Sequence, residues 1–363
     1  MPSAPVDAKG TVLYYEDSGA PANSAEYVTV VLIHGTCFHG ATFRPLFPHA
    51  TACNLRLVYV NMRGYPGSSP VSEADFGSTK DEREQTQRDR GFELAAFLCW
   101  LIDTEKIPPI NGGAGGISLL SWSGGHALSF SMFGNAGLLP EKTRDVLNEY
   151  LRSFIMYEPS SAATGTTPPP SFFGVVADRT KSPTDQAIAF GIEVSSYFEP
   201  WDLPDTLPTL APDAPPRCRI QDLPRAGPLE RRFEPTVNKM SAEELRDMTH
   251  PATFAGTLHF SHWSPLIAAV NAAHVHRALY DPRFPIGPEG ALATVWARVR
   301  VHLLYCDMTN GSIAWACATI RCGHAGAEEG VRRPMEVHVF NGCNHFLHWE
   351  EPERFTEILA KIA

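Results

Sequence analysis

Leu119-Leu120-Ser121-Trp122-Ser123-Gly124-Gly125 follows a hydrophobic, strand-like stretch and precedes a helix-like one. Small residue, any residue, serine, any residue, glycine at a strand-to-helix junction is the pattern of a nucleophile elbow. The backbone turns so sharply there that the central side chain stands clear of the sheet. Small neighbours are needed because the following helix passes close to the strand. This reading carries a requirement: a histidine and an acid must follow in a fixed order.

Working outward from the elbow, short apolar runs alternate with longer amphipathic ones. Strands are predicted at Thr11–Tyr15, Tyr27–Ile33, Arg56–Asn61, Gly115–Leu120, Arg152–Tyr157, Val299–Tyr305 and Met335–Phe340. Helices are predicted at Glu84–Ile107, where Leu94, Phe97, Leu98 and Leu101 recur at helical spacing, at Gly124–Phe133 and at Pro352–Ile362. Such alternation argues for an α/β chain with a mostly parallel sheet covered on both faces. Between about Ser160 and Arg298 the strand signal fades. Pro168-Pro169-Pro170, Pro204, Pro208, Pro212, Pro215 and Pro216 interrupt the chain, and helix-like islands remain at Ser182–Tyr197, Ser241–Met248 and Ser264–Leu279. Trp201, Phe254, Phe260 and Trp263 supply more aromatic surface than a solvated insertion carries. The expected organisation is therefore a core of residues 1–158 and 298–363 with a mainly helical cap at 159–297. Gly112-Gly113-Ala114-Gly115-Gly116 precedes a strand, whereas a phosphate-binding loop follows one and opens a helix, so it reads as a flexible connection.

Composition narrows the function classes. The chain has 363 residues, 44% hydrophobic and 19% charged, with a net charge of −10, which suits a globular protein with a full-sized core. No basic block marks a nucleic-acid surface, and an acidic chain does not favour anionic membranes. No apolar run reaches the roughly 18 residues that span a bilayer. The first ten residues are polar and form no export signal. The eight cysteines include no CxxC pair and several lie in apolar runs, the pattern of reduced thiols in a cytoplasmic protein.

Four motifs together resemble the α/β-hydrolase superfamily, over the whole predicted core. They are Leu32-Ile33-His34-Gly35-Thr36, Asn61-Met62-Arg63-Gly64-Tyr65-Pro66-Gly67-Ser68-Ser69, the elbow, and Gly342-Cys343-Asn344-His345-Phe346-Leu347-His348-Trp349-Glu350-Glu351-Pro352. The resemblance implies an α/β-hydrolase fold in which Ser123 is the nucleophile and His345 the base that takes its proton. Ser121 stands where the family usually has its first glycine, and Trp122, where histidine is common, is a candidate wall of the substrate pocket. The acid is less regular. Where the family commonly places it, after the seventh strand, Cys306 and Thr309 occupy the glycine and acid positions, and Asp307 comes two residues early. The other placement, after the sixth strand, is found in haloalkane dehalogenases and zearalenone-lactonase-like enzymes. It points to Glu158, which is favoured here with Asp307 as the alternative. The oxyanion hole would use the amide of Gly124 and one from the His-Gly turn, Thr36 with Gly35 beside it. His348, three residues after His345, raises metal binding, but no HExxH pattern or third ligand accompanies it.

These readings imply a serine hydrolase without cofactor or metal, acting on an ester or lactone of a bulky, largely apolar small molecule. The partner is that substrate, with neither nucleic acid nor membrane. Carbon–carbon bond hydrolysis by the same residues, or a non-hydrolytic cyclase or binding role in natural-product metabolism, are the alternatives.

Overall fold

The structure is a computed structural model and describes residues 2–22, 24–72, 75, 77–172, 180–211, 213–254 and 265–363. Among the described residues ten strands form: β1 Ser3–Pro5, β2 Val12–Asp17, β3 Val28–Ile33, β4 Leu55–Val60, β5 Ile117–Trp122, β6 Leu151–Tyr157, β7 Arg283–Pro285, β8 Leu292–Thr294, β9 Arg300–Cys306 and β10 Met335–Phe340. Eight of them build one sheet in the order β1-β2-β4-β3-β5-β6-β9-β10, and β7 with β8 forms a separate hairpin. The pairs β1–β2 and β2–β4 are antiparallel, and every pair from β4 to β10 is parallel. All six residues of β3, β4 and β5 are buried, as parallel strands covered on both faces require.

Two apolar layers sandwich the sheet. On one side Leu94, Phe97, Leu98 and Leu101 of the helix Lys80–Thr104 pack with Phe130 and Phe133 of His126–Gly134 and Ile313 of Gly311–Gly326. On the other, Phe355 and Leu359 of Pro352–Ile362 pack with Phe38, Phe43 and Tyr59. Helix Lys80–Thr104 starts four residues before its predicted onset because Thr79 and Glu82 form a capping box. Two further helices, Glu141–Tyr150 and Gly311–Gly326, and the short edge strand β1 lie where no element was predicted.

Between β6 and β9 the described residues add no strand to the main sheet. The predicted islands form as Pro183–Ser195, Ala242–Met248 and Pro265–Val275, the last continuing as a π turn over His276–Tyr280. Pro212, Phe260, Trp263 and Ser264 lie outside the described residues. The glycine-rich connection before β5 is not loose. The Arg152 guanidinium donates to the carbonyls of Gly112, Gly113, Ala114 and Gly115 at 2.9–3.5 Å, a partner from β6 that linear sequence does not reveal. All eight cysteines are free. Among the described residues no helix is long and apolar enough to cross a membrane.

Candidate active site

Strand order explains why distant residues meet. From β3 through β5, β6 and β9 to β10, the C-terminal ends present Thr36, Ser123, Glu158, Asp307 and the loop of His345 side by side. In open α/β sheets this edge is where ligands bind. Three non-glycine residues there hold left-handed backbone: Cys37 at φ 70°, Ser123 at φ 54° and Glu158 at φ 52°. Such conformations cost of order 1–3 kcal/mol each and cluster at functional sites.

The elbow is tightly built. A Cβ on Gly125 would come within 2.3 Å of the His34 carbonyl, and one on Gly124 within 2.4 Å of the Thr36 hydroxyl, so only glycine lets the turn after β3 approach. The same approach brings the Thr36 amide nitrogen within 3.3 Å of that Gly124 position, and a Cβ on Gly35 would lie 3.4 Å from Ser123 Oγ. Thr36, Gly35 and Gly124 therefore border Ser123 together. Ser121 is accommodated through a hydrogen bond between its hydroxyl and that of Ser129 on the next helix.

His345 Nδ1 donates to Glu158 Oε2 at 3.1 Å, and the other carboxylate oxygen accepts the Cys306 amide at 2.7 Å. Both side chains are buried. Asp307 faces elsewhere: its Oδ1 accepts the Gly342 amide at 2.7 Å, tying the end of β9 to the loop that carries His345. Of the two acids considered, Glu158 meets the histidine. Among the described residues no hydrogen bond joins Ser123 Oγ to His345, and such contacts often tighten only with substrate bound.

Trp122 is not an open pocket wall. Its indole is 1% exposed, lies 4.9 Å from the His345 ring centroid to centroid, and donates through Nε1 to the His345 carbonyl at 3.1 Å. The Tyr157 hydroxyl donates to the same carbonyl at 3.1 Å. Thus Trp122 and Tyr157, the residues before Ser123 and Glu158, both hold the backbone of His345, a contact their sequence positions do not announce. Removing both donors in Trp122→Phe/Tyr157→Phe should keep the ring packing and lower kcat about 10- to 100-fold through misplacement of the imidazole. Steady-state kinetics beside a cooperative thermal melt would check this, and an unchanged kcat would refute it.

His348 is locally satisfied, with Nε2 3.1 Å from Thr42 Oγ1 and Nδ1 3.3 Å from the Tyr157 hydroxyl. Next to His345, Asn344 donates to the Ser195 carbonyl and the Thr236 hydroxyl, and Thr236 in turn donates to Glu350. The segment between β6 and β9 is thereby fastened to the histidine loop. It also reaches the turn after β3, where the amide of His250 donates to the Cys37 carbonyl at 2.7 Å.

Burial pushes the imidazoles of His34, His126, His345 and His348 well below their ordinary range, and pushes the Glu158 carboxyl above its own. The consequences for stability have opposite signs. Below pH 6.5 the unfolded chain protonates these histidines while the folded chain does not, so stability falls with pH by about 1.4 kcal/mol per unit for each. Glu158, its carboxyl raised by burial, works in the opposite sense. Urea unfolding should show lower stability at pH 5.5 than at pH 7, with buried His39 and His274 contributing in the same sense; equal stability would contradict it.

Comparison with solved structures places this architecture. An esterase from Exiguobacterium antarcticum matches with a TM-score of 0.50 at 14% identity, covering 99% of this chain and 98% of that one. An esterase from Rhodococcus matches with a TM-score of 0.50 at 14% identity, covering 99% and 97%. A meta-cleavage product hydrolase from Pseudomonas fluorescens matches with a TM-score of 0.50 at 11% identity, covering 100% and 97%. No family model and no curated protein matches. The chain has the α/β-hydrolase fold.

Proposed function

We propose that the chain is a serine hydrolase that cleaves an ester or lactone of a bulky, largely apolar small molecule. The observation that carries the reading is the 3.1 Å hydrogen bond from His345 to a buried Glu158, beside a serine held at φ 54°. Glu158 fixes the proton on Nδ1, which leaves Nε2 of His345 as the basic nitrogen. Ser123 Oγ attacks the carbonyl carbon and its proton passes to His345. The carboxylate of Glu158 then faces the imidazolium, which relieves the burial cost of both charges. The amides of Thr36 and Gly124 receive the oxyanion. Collapse expels the alcohol, which takes the proton from His345, and leaves an acyl group on Ser123. Water activated by His345 releases the acid. The apolar substrate is inferred from the aromatic content of the segment between β6 and β9; its Trp201 and Phe254 are themselves packed into the core. That two of the fold neighbours are named as esterases is consistent with the reading.

A panel of aryl esters and lactones, followed by mass spectrometry of the quenched enzyme, tests it. Turnover with a transient acyl adduct on Ser123 is expected. Turnover confined to vinylogous diketones would replace ester cleavage with carbon–carbon hydrolysis, and binding without turnover would replace hydrolysis altogether.

A further inference from the structure

Strands β9 and β10 run parallel in a register that sets His302 opposite Glu336 and His338 opposite Leu304. Partners in register share a face, so His302, Glu336 and His338 project together. His302 Nδ1 lies 3.1 Å from His338 Nε2, while Glu336 Oε2 lies 3.9 Å from the first nitrogen and 4.0 Å from the second. The carboxylate is too far to hydrogen-bond either ring. It is not too far to share a metal with them. Tetrahedral zinc with Zn–N of about 2.0–2.1 Å and Zn–O of about 2.0–2.2 Å sets its ligand atoms about 3.2–3.5 Å apart. The two nitrogens lie within about 0.1 Å of that range, and the Glu336 side chain, 59% exposed, has only about half an ångström to close.

We propose that His302, His338 and Glu336 form a binding site for a divalent transition-metal ion such as Zn²⁺, with the fourth position open to water. The ligand set is two neutral imidazoles and one carboxylate, which suits zinc and its neighbours rather than calcium or magnesium. Without metal, one of the facing nitrogens must carry a proton to hydrogen-bond the other. With metal, both lone pairs face the ion and both rings carry their proton on the outer nitrogen, so no proton need be released. Arg300 precedes His302 on the same face and works against a cation, but it is exposed and solvent-screened.

The site lies inside the strands, not at their C-terminal ends, which carry Ser123 and the His345 loop. Its effect would be mechanical: β10 is an edge strand, and the ion would bolt it to β9. In the sequence the spacing of His345 and His348 raises metal binding, and no HExxH pattern or third ligand accompanies that pair. This triplet leaves no linear motif because its members are joined across a ladder and lie 36 positions apart at the extremes.

The test is isothermal titration of the chelator-treated full chain with Zn²⁺, with Co²⁺ absorption as a second readout. One ion per chain is expected, with tetrahedral Co²⁺ bands and a rise in Tm. Disturbing ligands one shell further out already costs about 10–100-fold in affinity, so His302→Ala/His338→Ala should lose the site and Glu336→Ala should weaken it at least as much. Glu336 is surface-exposed, so its variant should fold normally. Hydrolysis by these variants should match that of the unsubstituted chain, while Arg300→Gln should tighten binding. Absence of saturable Zn²⁺ binding, or stoichiometric binding that survives in His302→Ala/His338→Ala, overturns the proposal, since the free thiols would then be the ligands.

Discussion

Ser123→Ala is expected to lower ester hydrolysis by a factor on the order of 10⁴–10⁶, with little change in Tm. The size of the loss follows from the mechanism. Without the hydroxyl no acyl-enzyme forms, and only the oxyanion amides and substrate positioning remain. The small effect on stability follows from the geometry. Ser123 is buried but occupies a left-handed backbone at φ 54°, and its side chain makes no hydrogen bond among the described residues. Alanine inherits the backbone strain and removes no partner. Steady-state kinetics and a thermal melt on the same preparation decide the matter. A variant that keeps a tenth of the activity would assign the chemistry to another group.

Glu158→Gln should cost about 10⁴ in kcat. The amide can still accept the Cys306 N–H, but its NH₂ group then faces His345. The imidazole must turn its lone pair to Nδ1 and carry its proton on Nε2, where it cannot accept a proton from serine. Stability should move the other way. Burial raises the Glu158 carboxyl pKa, so a charged carboxylate there is a cost that the neutral amide avoids. An inactive variant at least as stable as the parent would separate a catalytic acid from a structural one. Asp307→Asn is the matching control. It keeps an acceptor for the Gly342 amide and should cost tenfold or less. If Asp307→Asn were the inactive variant, the assignment would be reversed.

The elbow and the histidine loop were legible because their constraints are local. A serine between small residues after a buried strand needs no distant information, and Pro352 at the first turn marks a helix start that the structure reproduces at Pro352–Ile362. Glu158 was legible through its place at the end of a strand, but choosing it over Asp307 required knowing which carboxylate the loop after β10 reaches. That is a tertiary fact. Trp122 shows the limit most clearly. Its neighbour Ser123 invites a pocket role, yet its indole N–H is spent on a carbonyl 223 positions away. Helix Gly311–Gly326 was missed for a different reason. Its small and apolar residues carry weak amphipathic contrast, and its start is set by Asn310 capping Ile313, which an apolar-period search does not weigh.

The central claim is that Ser123, His345 and Glu158 act as one unit. The most direct measurement is fluorophosphonate labelling followed by peptide mapping, run in parallel on the parent, Glu158→Gln and Asp307→Asn. The account predicts one adduct per chain, on Ser123, formed at a similar rate in the parent and Asp307→Asn and orders of magnitude more slowly in Glu158→Gln. An unlabelled Ser123 in folded protein, or labelling indifferent to Glu158, would contradict it.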